Sequence, residues 1–409
     1  MNVDSISISG FANLREVTLN GNLSAALVAP NSYGKSNVLS AISFGLKFMK
    51  ASEEEKQSMM SDAHYMPINK NQPETDYHFE ITGNTTIGDN EYCFIYAFSF
   101  AWGEAHGKIT TESLKVKGAS DPKYKSYIER KDGKPCTYLP SPTGRCSKQL
   151  DNVGNGLAIN KLATNDGLFF VDLIRDVVNI DIPYIDSLEN PNAYFSADGT
   201  GGIAMLGGKT VCAYMHYLKT SKSDCYALLT DAIYNMLPHV ESIEPIEITL
   251  GEGRSLRLYD INVKERNNRH ATSIQQISSG SKRVIFILTL CMAADINHIP
   301  MIMLEEPENS VHPRLLQNLL TSMRAIAMGT KVLMTSHSPY LMRYLGPEQL
   351  YLGLPNDTGL AEFGRLKQTK VKSVYRRASE MDITFGEYMY EMLLDMEDDK
   401  DIVNEYFQR

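Results

Sequence analysis

Four short stretches of this 409-residue chain hold residue types that could handle a phosphate. The first is Ala29-Pro30-Asn31-Ser32-Tyr33-Gly34-Lys35-Ser36. It follows the apolar run 23–28 and precedes a segment with apolar residues at helical spacing: Val38, Leu39, Ile42, Leu46 and Met49. A glycine-bearing loop between a buried strand and a helix can aim backbone N–H groups at phosphate oxygens. In such a P-loop, Lys35 reaches the β- and γ-phosphates and the Ser36 hydroxyl ligates Mg2+. The usual first glycine is replaced by Ala29, a methyl that is tolerated if the backbone there needs no positive φ.

The second stretch, Leu304-Glu305-Glu306-Pro307-Glu308, closes the apolar strand Met301–Leu304 as a Walker B motif does. Glu305 stands where a magnesium-binding Asp is usual, and Glu306 is placed to polarise an attacking water as general base. Acids after a strand could also simply favour the start of a helix. The third, Thr335-Ser336-His337-Ser338-Pro339, puts His337 just past the next strand, where it could contact a γ-phosphate. The fourth, Ile277-Ser278-Ser279-Gly280-Ser281-Lys282-Arg283, opens an apolar helix, and Ser and Gly at a helix N-terminus bind anions. Each has a bland structural reading alone; the four in this order are specific. Gly202–Thr210 is different: five residues precede its Gly-Lys, no apolar strand leads in, and it reads as a glycine-rich loop.

The elements that must position these residues follow from periodicity. Ser5–Ser9 alternates with period two, Glu16–Leu19 is a second short strand, and strands recur at His78–Ile81 and Tyr92–Phe100. Residues 150–240 read as mainly helical. Strands return at Ile246–Thr249, Leu256–Leu258, Met301–Leu304 and Lys331–Thr335, with a helix near 313–327. Such alternation predicts a largely parallel sheet with helices on its faces. The expected domains are an N-terminal lobe over 1–149, a helical insertion over 150–243, a second lobe over 244–375, and an acidic amphipathic helix over 376–409.

In this order the motifs resemble those of ABC-type ATPases related to SMC proteins and RecF, and within them the OLD-like branch. Asn31–Asn37 matches the P-loop and Ile277–Arg283 the signature. Glu305–Pro313 matches Walker B with its D-loop, and Thr335–Pro339 the switch histidine. The Tyr92–Leu114 region, with Tyr96, Glu112 and Leu114, is similar to the branch's second strand set. The resemblance implies an α/β ATPase head: a mostly parallel sheet, an antiparallel β-subdomain and a helical insertion. It also implies ATP and Mg2+ as cofactors, with Asn31, Gly34, Lys35, Ser36 and Asn37 on the nucleotide and Ser36 and Glu305 on the metal. Glu306 and His337 would be catalytic. Ser278, Ser279 and Gly280 would act in trans on the nucleotide of a second copy, so a homodimer or higher homo-oligomer is expected. Gln72 is the candidate for a Q-loop glutamine. OLD proteins carry a C-terminal Toprim nuclease domain; this chain is expected to lack one and to resemble the stand-alone ATPase sensor subunits of bacterial anti-phage systems, whose effector, a nuclease or toxin, is a separate protein.

Composition narrows the remaining classes. No run reaches the length needed to span a bilayer and no signal-peptide pattern opens the chain, so a cytoplasmic protein without membrane contact is expected. The six cysteines form no CxxC pair, which argues for reduced thiols over structural zinc. Net charge is −9, against a general affinity for nucleic acid, yet residues 108–148 hold ten Lys/Arg against four acids. Nucleic acid is therefore a possible partner, and a RecF-like repair ATPase acting directly on DNA is the alternative to an effector-gating ATPase. A weakly hydrolysing scaffold is a further option because of Ala29. A transporter motor is disfavoured by the 243-residue separation of Lys35 and Ser278.

Overall fold

A computed structural model of the chain describes residues 1–20, 24–72, 75–103, 107–141, 146–186, 210–250, 256–355, 357–396 and 400–408. The glycine-rich stretch 202–209 lies outside the described residues. In chain order the strands of the first part are β1 (Asn2–Phe11), β2 (Leu14–Asn20), β3 (Ala25–Val28), β4 (Tyr77–Ile87), β5 (Asn90–Ala101), β6 (Lys108–Gly118), β7 (Lys125–Lys131), β8 (Thr137–Tyr138) and β9 (Lys148–Gln149). Helices α1 (Lys35–Lys50), α2 (Glu53–Met60), α3 (Ala158–Ala163) and α4 (Val171–Val178) accompany them. The later elements are β10 (Tyr184–Ile185), α5 (Val211–Ser221), α6 (Ser223–Met236), β11 (Val240–Leu250), β12 (Leu256–Glu265), β13 (Thr272–Ser273), α7 (Ser279–Ile296), β14 (Met301–Glu305), α8 (Pro313–Ile326), β15 (Lys331–Ser336) and α9 (Pro339–Met342). The chain ends with β16 (Leu350–Gly353), β17 (Phe363–Leu366), α10 (Gln368–Glu380), α11 (Phe385–Asp395), α12 (Lys400–Tyr406) and β18 (Phe407–Gln408).

Two compact units result. One comprises Met1–Ile182, Pro347–Val374 and Glu391–Arg409; the other comprises Pro183–Gly346 and Tyr375–Tyr390. In the first, an eight-stranded antiparallel sheet runs β2-β1-β4-β5-β6-β7-β8-β9. Period-two alternation sends Tyr77, Phe79, Phe98 and Phe100 to its buried face and leaves Ser5, Ser7, Glu80 and Thr82 toward the other. Helix α1 lies on the aromatic face: Phe48 stacks on Phe98 and Phe100 at 5.2 and 4.9 Å, and Tyr77 Oη donates to Ala41 O at 2.8 Å. Gly45 makes that approach possible, because a Cβ there would lie 2.3 Å from the Phe79 ring. Strand β3, which leads into α1, pairs parallel with β16 (Leu27 opposite Tyr351), and β17 and β18 follow antiparallel.

In the second unit β14 pairs parallel with β15 (Glu305 opposite Thr335) and with β10 (Tyr184 opposite Met303). Strands β11, β12 and β13 form a separate antiparallel sheet. The parallel pairs and the separate antiparallel sheets agree with the α/β head expected from sequence. The apolar stripe expected in the C-terminal segment, Phe385, Tyr388, Met389, Met392, Leu393 and Met396, falls on α11 and the residue after it; Tyr388 is half-buried and the other five are buried. No helix among the described residues is long and apolar enough to cross a membrane.

Glu112, noted in the sequence, proves to be an internal cap. It is 1% exposed, and its carboxylate accepts from the backbone N–H groups of Ala158 (2.7 Å) and Ile159 (2.9 Å) at the start of α3 and from Tyr96 Oη (3.1 Å). Burial pushes its pKa up while these three donors pull it down. Glu112→Leu strands all three donors and should cost roughly 2–5 kcal/mol of folding stability. Glu112→Gln, which keeps an acceptor oxygen, should cost less. Urea denaturation checks this; equal midpoints for Glu112→Leu and the parent chain would contradict the capping role.

Candidate active site

The loop before α1 belongs wholly to the first unit. Lys35 is 6% exposed, and its ammonium donates to the carbonyls of Ala29 (2.8 Å) and Pro30 (3.1 Å), which holds it along the inside of the loop. Gly34, at φ 122°, caps the helix; a Cβ on it would lie 2.8 Å from both Ala361 Cβ and Asn13 Oδ1. Only glycine adopts that backbone and fits that space. Ala29 needs no positive φ, and its methyl rests against Gly353, where a Cβ would approach it to 2.6 Å. The missing glycine is thus answered by another glycine on the neighbouring strand. Asn31 and Ser36 are exposed.

Two residues that the sequence did not single out brace this loop. The Tyr33 hydroxyl donates to Leu354 O at 2.5 Å and accepts from Glu362 N at 3.2 Å, tying the loop to the β16–β17 connection. Asn13, in the β1–β2 turn, donates to Tyr33 O at 3.0 Å and accepts from Asn37 Nδ2 at 2.8 Å. Asn37 is therefore engaged in holding the loop. Gln72 donates to Leu14 O at 2.9 Å, on the strand that follows the same turn. None of these partners is close in sequence, so no local spacing announces them.

The second unit holds the acidic residues, the histidine and the segment Ile277–Arg283 that resembles a signature. Glu306 follows the end of β14 in the left-handed region, φ 43°, a conformation that costs a non-glycine residue about 1–3 kcal/mol. Several hydrogen bonds hold it there. Its N–H donates to Thr335 Oγ1 (3.2 Å), and Arg283 Nη2 donates to its carbonyl at 2.5 Å and to that of Glu305 at 3.3 Å. Its carboxylate is gripped at both oxygens, with His337 Nδ1 2.9 Å from Oε1 and Asn309 Nδ2 donating to Oε2 at 2.6 Å. Glu306 and His337 are therefore neighbours, as their proposed roles require. Glu305 Oε2 accepts from Tyr184 Oη at 2.8 Å.

Glu308 is buried, and burial raises its pKa. It accepts from Ser336 Oγ, which in turn accepts from Ser338 N at 3.0 Å. The two residues flanking His337 are thus fixed through one buried carboxylate. Ser278 caps α7: its hydroxyl accepts from Ser281 N at 3.1 Å. Ser279 is exposed beside it. Gly280 lies so close to the loop after β14 that a Cβ would meet Ser310 O at 2.4 Å. The signature helix and the acidic turn are thereby joined twice, through Gly280 and through Arg283, which is 3% exposed. Arg283 was part of the signature read from sequence, but its contact with Glu306 was not legible there.

Each unit carries groups of the kind that a magnesium nucleotide uses: the first a lysine, a hydroxyl and a helix N-terminus on one loop, the second two carboxylates at a strand end beside a histidine. Residues 245–343 match the family model described as "AAA domain, putative AbiEii toxin, Type IV TA system", less than half of the chain. Among solved structures, an SMC head bound to the C-winged helix domain of ScpA aligns with a TM-score of 0.53 at 12% identity, covering 90% of this chain and 99% of that one. The fold is that of an SMC head. The SMC head domain from Thermotoga maritima aligns at a TM-score of 0.43 (13% identity, 90% of this chain, 100% of that one). An Smc head with an extended coiled coil, bound to the C-terminal domain of ScpA derived from Pyrococcus furiosus, aligns at 0.48 (11% identity, 92% and 99%). No curated protein matches the chain significantly.

Gly280→Ala forces a methyl onto the Ser310 carbonyl and should cost about 1–3 kcal/mol, whereas Ser279→Ala, at an exposed site, should stay within about 0.5 kcal/mol of the parent. Thermal unfolding of the three proteins decides it; a Gly280→Ala midpoint equal to the parent's would contradict the packing described.

Proposed function

We propose that this chain binds Mg-ATP at the loop 29–36, hydrolyses it with Glu306 as general base, and uses the ATP-bound dimer as a switch on a separate effector protein. The observation that carries the reading is the Glu306 carboxylate, set on a strained backbone and held between His337 and Asn309. A residue that merely began a helix would need neither the strain nor the two partners. Lys35 and the backbone of its loop would take the β- and γ-phosphates, and Ser36 and Glu305 would hold the magnesium ion, which neutralises phosphate charge as the γ-phosphoryl departs. Glu306 would orient water and take up its proton. His337, beside it, would sense the γ-phosphate and pass its presence to the backbone fixed by Ser336 and Ser338.

Ser278, Ser279 and Gly280 would serve a second copy's nucleotide, so hydrolysis would require association. The match of 245–343 to an AAA domain supports nucleotide chemistry. The description of that family also names a putative toxin of a toxin–antitoxin system; this is compatible with an effector-coupled role but assigns none to this chain. The sensor role in a bacterial anti-phage system rests on the resemblance to stand-alone OLD-like ATPases, an analogy of fold and motif.

Native mass measurement with Mg-ATP tests the switch. Glu306→Gln should hold ATP and accumulate as a dimer or larger assembly, the parent should do so transiently, and Lys35→Ala should stay at its nucleotide-free mass. Identical masses for all three with and without nucleotide would contradict an ATP-driven clamp.

A further inference from the structure

The substitution of Glu305 for the usual Asp poses a physical problem. Glu carries one more rotatable bond, so its carboxylate is less well fixed when it leaves a strand end, and Mg2+ demands near-ideal octahedral placement of its ligands. Strand β10 addresses this. Pro183 immediately precedes it, with its carbonyl accepting from Met303 N at 2.8 Å. Proline lacks the N–H that a strand interior would need. The next residue, Tyr184, then pairs with Met303 in the parallel register. Side chains on a strand alternate, so Tyr184 lies on the same face as Met303 and as Glu305 two residues on. Its hydroxyl consequently reaches Glu305 Oε2 at 2.8 Å.

We infer that Tyr184 is a positioning residue for the metal, fixing the rotation of the longer Glu305 carboxylate so that it can serve as a magnesium ligand where a shorter Asp would need no such support. The inference rests on the reading of Glu305 as a metal ligand. Partners of this kind orient a ligating carboxylate and raise metal affinity without touching the ion, and their removal typically costs 10–100-fold in affinity. Phenylalanine at 184 keeps the ring while removing the hydroxyl's hydrogen bond to Glu305. Aspartate at 305 ends one carbon short and falls out of the hydroxyl's reach.

The experiment is a double-mutant cycle on metal affinity, read by titrating Mg2+ into the full-length protein with a fluorescent ATP analogue, without reference to turnover. Tyr184→Phe should weaken the apparent Mg2+ affinity about 10-fold in the Glu305 protein and by less than about 2-fold in the Glu305→Asp protein. Thermal unfolding without metal should give the same midpoint for Tyr184→Phe and the parent, within the cost of one part-buried hydrogen bond, about 1 kcal/mol. Unchanged Mg2+ affinity in Tyr184→Phe, with the parent still dependent on Mg2+, overturns the inference alone. So does an equal loss in both backgrounds, which would mean that the hydroxyl acts on general structure. If the parent and Glu305→Ala bind the analogue alike with and without Mg2+, Glu305 holds no metal, and both the inference and the reading of Glu305 fall.

Discussion

A carboxylate that is to work as a base at the end of a strand must be turned out of the sheet and kept turned, and here that requires a left-handed backbone at Glu306. Glutamate does not adopt this conformation unaided. The strain of about 1–3 kcal/mol is offset by the hydrogen bonds from Arg283 Nη2 and to Thr335 Oγ1, each typically contributing about 1 kcal/mol or more. Arg283 comes from the signature helix and Thr335 from the strand that leads to His337. The backbone of one residue therefore ties together the signature, the acidic turn and the histidine.

The loop before α1, proposed to hold phosphate, obeys a parallel logic. Gly34 takes a conformation closed to other residues, and the space where its Cβ would stand is filled by Asn13 and Ala361. The loop is then held by Tyr33 on one side and by Asn13 with Asn37 on the other. Lys35 is pre-positioned by the loop's own carbonyls. Such bracing lowers the entropy that must be given up when a phosphate binds, which is how rigid sites gain affinity.

Much of this was legible in the sequence where the signal was local. The strand at 301–304, the helix from 36 to 49 and the four motifs depend on neighbours within a few residues, and periodicity and spacing report such neighbours directly. Contacts between distant segments were not legible. Tyr184 is 121 residues from Glu305, and Tyr33 is over 320 residues from the backbone that holds it. Glu112 looked like part of a family strand pattern and turned out to cap a helix that begins 46 residues later. The two-residue strand β10 is too short to show a period. In the C-terminal segment periodicity shows the spacing of Phe385 and Met389, but it cannot say that both are buried.

The central claim is that Glu306 activates water for ATP hydrolysis. Its most direct test is phosphate release from saturating Mg-ATP by the purified parent protein and by Glu306→Gln, with nucleotide affinity measured in parallel. The account predicts that the Gln variant keeps its affinity while its turnover falls about 10²–10⁴-fold, since a general base has been removed and the charge-neutral amide keeps the same shape. Turnover in Glu306→Gln equal to the parent's would contradict the account.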